Sequence, residues 1–507
     1  MMLRDLVIDS AQRYPDVPAV KASDGWLTYG ELDKLANRFA QAFLKLGIQR
    51  GDRIGIWLEK SSSALAAMQG ALRLNAAYVP LDPLSPTARI HNIVCDCAIR
   101  VLVTTQQRME AIQTLSVGSL SSICTYICLD GSGPELNWHD LMLLSDKPVE
   151  GFVGSDDELA YILYTSGSTG TPKGVCISNR NALSFITWAV EVLRATPTDH
   201  FVNHAPFHFD LSVLDLYAAF MVGAIVLLIP EEMSYLPKRL VDFLCEEQPT
   251  IWYSVPSVLM LMMEQGGLLE REIPSLRAIL FAGEPFSIKH LRLLYEHWSS
   301  ARFLNLYGPT ETNVCTFYEV TEIQKDWKKP VPIGRACSGD QVWAQKEDGT
   351  LALPGEEGEL MVTGPTVMLG YWGKPGHGDT PYATGDLVRL QEDGNYVYIG
   401  RRDHMVKVRG YRIEPGDIEA ALEEHIAIRE AVVLVDGVGI EARLAAFVVC
   451  PDEKASPSLL EIKRHCAERL PRYMIIDVLH VLHTMPRTRN GKADRLILKA
   501  SLKKGDM

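Results

Sequence analysis

The sequence lacks a long uninterrupted apolar stretch. Its longest, residues 218–229, falls short of the roughly 20 residues a membrane-spanning helix needs. A buried element is expected there, and a membrane is excluded as partner. No secretory leader is expected at the N-terminus, since residues 1–15 carry Arg4, Asp5, Asp9 and Arg13 and no apolar core; a cytoplasmic location is expected. A basic surplus is missing as well. Lys and Arg number 50 against 63 Asp and Glu, a net charge of −13, which excludes nucleic acid as the main partner. The ten cysteines are scattered apart from Cys95/Cys97 and Cys124/Cys128, and neither pair has a second pair at zinc-like spacing. Reduced, buried thiols are expected, with Cys315 packing rather than reacting. Internal repeats and low-complexity tracts are absent.

At 507 residues the chain is too long for one compact core, so at least two domains are expected. The acidic excess is uneven. From His404 onward 17 Lys and Arg stand against 15 Asp and Glu, leaving 33 against 48 in the preceding body. A boundary at residues 400–404 follows, giving domains 1–402 and 403–507. Residues 31–46 form an amphipathic pattern, with Leu32, Leu35, Ala36, Phe39, Phe43 and Leu46 on one face and Gly47 ending it. Short apolar runs at 54–58, 278–281 and 431–435 have strand character. Helix and strand signals alternate, which predicts an α/β fold with much parallel sheet. Residues 355–358 and 373–378 have loop composition.

The strongest single motif is Tyr-Thr-Ser-Gly-Ser-Thr-Gly-Thr-Pro-Lys-Gly over residues 164–174, directly after the apolar run 159–163. Glycines and small residues let backbone N–H groups converge on phosphate oxygens. Thr165, Ser166, Ser168 and Thr169 add hydroxyls, Gly167 and Gly170 the backbone freedom, and Lys173 a positive charge. A Walker A loop is excluded, because Pro172 precedes Lys173 and Gly174 follows it where Gly-Lys-Ser/Thr would be needed.

This loop resembles the phosphate motif of the adenylate-forming superfamily, which includes acyl-CoA synthetases, luciferases and nonribosomal adenylation domains. Further motifs occur in that family's order. Leu-Asn-Ala-Ala-Tyr-Val-Pro-Leu-Asp-Pro (74–83) carries Asn75 where glycine is usual, and Asn-Leu-Tyr-Gly-Pro-Thr-Glu-Thr (305–312) is intact. Tyr-Ala-Thr-Gly-Asp (382–386) carries Ala383 in place of the common arginine. Gly-Arg-Arg-Asp-His-Met-Val-Lys-Val-Arg-Gly-Tyr-Arg-Ile-Glu (400–414) and Asn-Gly-Lys (490–492) complete the series. The resemblance implies a large N-terminal domain of α/β subdomains and a small mobile C-terminal α+β domain.

It also implies roles, with ATP and Mg²⁺ as the cofactors. A carboxylate attacking the α-phosphate of ATP requires positive charge placed in advance. Lys492 is the implied catalytic lysine, and Thr310 and Glu311 belong to the catalytic motif, Glu311 holding magnesium. Asp386 and Arg401 fall to the ribose, Tyr307 stacks on adenine, and Asn305, Gly283 and Glu284 contact its edge. Asp403 is the implied hinge. Gly410 then faces the site in the second half-reaction, where glycine lets a thiol-bearing arm pass close to backbone.

Residues 207–216 locate substrate selectivity. The resemblance turns Asp210 toward an α-amino group, and an ammonium among apolar walls does need a paired anion. The implied remaining lining is Leu211, Leu214, Tyr253, Leu280, Ala282, Leu306, Val314 and Cys315. Such a wall excludes charged side chains and leaves little depth for Phe or Trp, so Pro, Val and Ala remain; methylene-scale discrimination does not separate them. The neighbouring Asp215 is expected to be a capping or surface residue.

The lining is similar to that of freestanding prolyl-adenylating enzymes that start pyrrole formation, which implies L-proline as substrate and a separate phosphopantetheinylated peptidyl carrier protein as acceptor. With 15 residues following Lys492, no carrier domain is expected in this chain. Such carriers tend to be acidic, and Arg464, Arg469 and Arg472 in the C-terminal part fit that charge. Three alternatives are weighed: an acyl- or aryl-CoA ligase, which Asp210 opposes; D-alanine activation; and a silent binding protein, which intact Lys173, Glu311, Asp386, Asp403 and Lys492 oppose.

Overall fold

The computed structural model describes residues 1–115, 124–131, 135–166, 172–323, 327, 331–402, 405–437, 441–450, 456–487 and 493–504. The chain divides into two compact units: 1–83, 94–164 and 174–402 form the first; 84–93, 165–173 and 403–507 form the second. Segments 84–93 and 165–173 thus group with the C-terminal part rather than with the body, where the sequence reading put them.

Among the described residues the first unit is built on three sheets. One has nine strands, in the order Arg335–Ala336, Thr316–Val320, Arg302–Tyr307, Ala278–Phe281, Ile251–Ser254, His200–Asn203, Ile225–Leu228, Pro18–Ala22 and Gly25–Thr28. Its middle is parallel, from Arg302–Tyr307 through Ile225–Leu228. An eight-stranded sheet includes Arg53–Ile56, Ala77–Pro80 and Leu159–Thr165. The third, four-stranded and antiparallel, runs Gln341–Gln345, Glu357–Thr363, Tyr382–Leu390 and Tyr396–Arg401. Parallel strands covered on both faces must be apolar throughout, and Ile225–Leu228, Ile251–Ser254 and Ala278–Phe281 are buried at every position.

Local signals explain the elements between the strands. The amphipathic helix runs Tyr29–Lys45, starting two residues before the expected 31, because Thr28 starts a capping box: Thr28 Oγ1 accepts from Glu31 N at 3.2 Å and Glu31 Oε2 from Thr28 N at 2.9 Å. The long apolar run at 218–229 is not one element. Helix Leu211–Val222 stops at Gly223 (φ +80°), and strand Ile225–Leu228 follows.

The second unit has its own core, in which Val433, Ala446 and Val448 of a three-stranded sheet pack with Ile418, Leu422, Ile462 and Cys466 of two helices. Its hairpin Val406–Val408/Tyr411–Ile413 turns through Arg409 and Gly410, both at positive φ (+52° and +81°). That is the geometry of a tight two-residue hairpin loop. No helix among the described residues is long and apolar enough to cross a membrane.

Candidate active site

In parallel sheets, ligands bind beyond the carboxyl ends of the strands. Four neighbouring strands of the first unit deliver the candidate residues there. Asp210 follows His200–Asn203, and Tyr253 lies near the end of Ile251–Ser254. Ala282, Gly283 and Glu284 follow Ala278–Phe281, and Tyr307, Thr310 and Glu311 end or follow Arg302–Tyr307.

Asp210 occupies the N-cap position of helix Leu211–Val222, yet its side chain does not cap the helix. Its Oδ2 instead accepts a hydrogen bond from Thr310 Oγ1 at 2.6 Å, across 100 residues of sequence. Burial, with the Asp210 charge added, pushes the Tyr253 phenol well above its ordinary range; Tyr161, buried and beside Tyr217 and Asp210, is raised in the same way. Both tyrosines therefore remain neutral donors near the carboxylate. Of the expected lining, Leu214, Tyr253, Leu280, Ala282, Leu306, Val314 and Cys315 are buried, and Leu211 is partly so. Cys315 is wholly buried, its Sγ lies 3.6 Å from Tyr307 O, and burial pushes its thiol up to about 12. It packs as an uncharged group.

Thr310 and Glu311 lie on a one-turn 3₁₀ helix, Thr310–Thr312. Glu311 is fully buried and its Oε1 accepts from Tyr371 OH at 2.7 Å. The loop is folded tightly on itself: a Cβ on Gly308 would stand 1.6 Å from Asn313 O. Asn313 itself is held at φ +49°, ψ −135°, a conformation that costs a non-glycine residue about 1–3 kcal/mol and concentrates at functional sites. Tyr161 OH lies 3.5 Å from Asn313 Oδ1.

On the far side of Tyr307 lies a polar cluster. Asp386 accepts from Tyr307 OH through Oδ2 and from Arg401 Nη1 at 2.8 Å through Oδ1. The Arg401 and Asp386 side chains are 8% and 2% exposed. Arg401 Nη1 also reaches Thr384 O at 3.0 Å, fixing the guanidinium. Burial and Asp386 together hold Tyr307 protonated. Asn305 gives its amide to Pro332 O at 2.8 Å, and Glu284 Oε1 accepts from Ser257 N at 2.7 Å. Gly283 has φ +92°, which favours glycine.

The phosphate loop is partly described. Thr165 closes strand Leu159–Thr165 and Lys173 opens Lys173–Ser178. Thr165 Oγ1 is buried without a hydrogen-bond partner among the described residues, and Ser166 Oγ donates to Arg412 O at 3.0 Å. Gly167, Ser168, Thr169, Gly170, Asp403 and Lys492 lie outside the described residues.

The structure therefore joins Asp210 to Thr310, and Tyr307 to Asp386 and Arg401. It corrects one expectation. Asp215 is neither a cap nor a surface residue: it is 1% exposed and accepts from Asn203 Nδ2 at 3.3 Å. Sequence reading missed Tyr371 and Asn313. Tyr371 bonds across 60 residues and carries no local signal; Asn313 is marked only by its place just past the 305–312 motif.

A family model for AMP-binding enzymes matches residues 7–372, and one for the AMP-binding enzyme C-terminal domain matches residues 417–492. The chain is 48% identical over 497 residues to an L-proline–[L-prolyl-carrier protein] ligase of Pseudomonas fluorescens, covering 98% of each. It is 38% identical to a ligase of the same description from Streptomyces coelicolor, covering 96% of this chain and 94% of the relative. Among solved structures, that of IdnL1 superposes with a TM-score of 0.79 at 26% identity, covering 96% of this chain and 99% of the other.

Proposed function

Because this chain belongs to the AMP-binding enzyme family, we propose that it activates L-proline with ATP, releasing pyrophosphate, and passes the prolyl group to the phosphopantetheine thiol of a separate peptidyl carrier protein. The observation that carries the reading is Asp210, a half-buried carboxyl hydrogen-bonded to the loop that bears Glu311. A secondary ammonium brings two N–H donors, and a carboxylate accepts them without a further charge in the wall. The proline ring has no polar atom to leave unpaired against Leu214, Leu280 and Val314.

The proline carboxylate attacks the α-phosphorus, the acyl–phosphate bond forms and pyrophosphate leaves. The chain's own contribution is positioning. Asp210 orients the amine, Tyr307, Asp386 and Arg401 form the nucleoside cradle, and the 165–173 loop binds phosphate. Lys492 supplies charge between carboxylate and phosphate; Asp403 is the hinge and Gly410 borders the thiol's path.

The donor set suits magnesium bound chiefly through nucleotide phosphates. Glu311 is a single buried, hydrogen-bonded carboxylate, and no group of three His, Cys, Asp or Glu among the described residues could hold a metal alone. Bound beside Glu311, magnesium would offset charge on the triphosphate. In the narrower reading, the carrier-bound prolyl group is next oxidised to a pyrrole by a dehydrogenase.

Amino-acid-dependent ATP–pyrophosphate exchange tests the proposal, with all proteinogenic amino acids, D-alanine and several aryl and fatty acids as the panel. A dominant L-proline signal, followed by a mass shift on a carrier protein, is expected. Dominance of another amino acid overturns the pocket assignment, and exchange with an acid lacking an amine overturns the role of Asp210.

A further inference from the structure

A polar group of residues that the proposed reaction does not use meets the chain on both sides of Asp210. Lys60 follows strand Arg53–Ile56 of the eight-stranded sheet and is 3% exposed. Its ammonium reaches across to the nine-stranded sheet, donating to Asn203 O at 3.1 Å and to His204 O at 2.9 Å. Those two carbonyls stand where strand His200–Asn203 ends and the segment leading to Asp210 begins.

The counter-charges are Asp215 and Glu231. Asp215 lies in the second turn of the helix that Asp210 opens, and Glu231 just beyond strand Ile225–Leu228. Asn203 Nδ2 ties Asp215 to the same strand end. Farther out, Glu59, Asp82 and Arg108 surround Glu231, and the His204 ring packs 5.7 Å from Trp252. Burial works against each charge: it lowers Lys60, lifts Glu231 to about 7 and lifts Asp215 well above the carboxylate range. Asn203 Oδ1, His204 Nε2, Asp215 Oδ1 and Glu231 Oε2 are buried without hydrogen-bond partners among the described residues. A well-packed apolar set would be at least as stable as such a cluster, so its position calls for an explanation.

Asp210 lies between the two anchored points. The clamped carbonyls hold the segment on its N-terminal side, and Asp215 holds the helix on its C-terminal side. We propose that Lys60 is a positioning residue for amino-acid recognition, fixing both ends of the 203–215 segment so that the Asp210 carboxylate meets the substrate amine. The inference rests on the reading of Asp210 as the amine's partner. The nucleoside cradle is seated elsewhere: Tyr307 ends a strand three places along the sheet from His200–Asn203. Loss of the clamp should therefore reach the amino acid and spare ATP.

The test is pyrophosphate exchange with L-proline on Lys60→Met, Lys60→Arg and the double variant Lys60→Met/Asp215→Asn, in which no change in Asp215 protonation can follow loss of the ammonium. A misplacement of about 1 Å costs on the order of 10²-fold. The expected result is a rise of roughly 10- to 100-fold in KM for L-proline, with KM for ATP unchanged, at least partial rescue in Lys60→Arg, and the same split in the double variant. An unchanged KM for L-proline in a folded variant, an equal rise in both KM values, or collapse of both Lys60→Met variants in thermal denaturation overturns the positioning role. Wild-type exchange with no amino acid overturns the Asp210 reading instead, so the two failures are distinguishable.

Discussion

Asp210→Asn isolates charge from shape. The amide oxygen of Asn can still accept from Thr310 Oγ1, the partner that stands 2.6 Å from Asp210 in the present structure. What disappears is the anion that would face the amine. Breaking a buried ion pair by removing one partner costs about 3–5 kcal/mol. Asp210 is half-buried before substrate arrives, so the lower end applies. About 3 kcal/mol is on the order of 10²-fold in kcat/KM for the amino acid. The cost should fall on the amino acid and leave KM for ATP nearly constant, because Asp386 and Arg401 are untouched. Exchange at saturating ATP with varied L-proline reads the first quantity, and the reverse titration reads the second. A loss smaller than about 5-fold, or an equal loss on both substrates, would refute the pairing of Asp210 with an ammonium.

Arg401→Met leaves Asp386 buried without its cation; it should lower stability by about 3 kcal/mol and raise KM for ATP, measured by chemical denaturation and exchange kinetics. Gly308→Ala cannot be accommodated without moving the 308–313 loop, since the added carbon would meet a backbone oxygen at 1.6 Å; exchange should be lost while circular dichroism stays near wild type. Asp340, 7% exposed and bonded to Thr366, is raised to about 7 by burial. A raised carboxyl binds its proton more tightly folded than unfolded, so its contribution is present at low pH and is lost as pH rises from about 4 through 7, up to about 4 kcal/mol in all. Asp340→Asn should therefore raise Tm at pH 8 and change it little at pH 5, and an equal shift at both would refute this assignment.

Much of the fold was legible because its signals are local. The stripe from Leu32 to Phe43, the apolar runs at 278–281 and 431–435 and the motif at 305–312 each declare themselves within a short window. Gly223 was the exception in the 218–229 run, where unbroken apolarity concealed a left-handed break between helix and strand. At the site, the family resemblance pointed to Asp210 and Glu311, but their partners were not legible. Thr310 reaches Asp210 over 100 residues and Tyr371 reaches Glu311 over 60. Asp215 was misread for the same reason: a carboxylate within an apolar helix looks like a cap or an exposed residue until Lys60, far off in sequence, is placed against it. Windows of sequence report propensity and periodicity; pairing of buried charges is set by topology.

On the proposed reading, the contact between Thr310 and Asp210 would make the two halves of the site thermodynamically dependent. One hydroxyl proton serves one acceptor at a time, and here it serves the carboxyl proposed to meet the amine while sitting next to Glu311, the residue proposed to hold the metal. On the proposed reading, an ammonium arriving at Asp210 would be a stronger donor and would free that proton for an anionic oxygen of the nucleotide. Cooperativity of this kind is reciprocal: whatever factor the amino acid contributes to nucleotide affinity, the nucleotide returns to the amino acid. An unreactive ATP analogue should then tighten L-proline binding in calorimetry, and in Thr310→Val the two titrations should become independent.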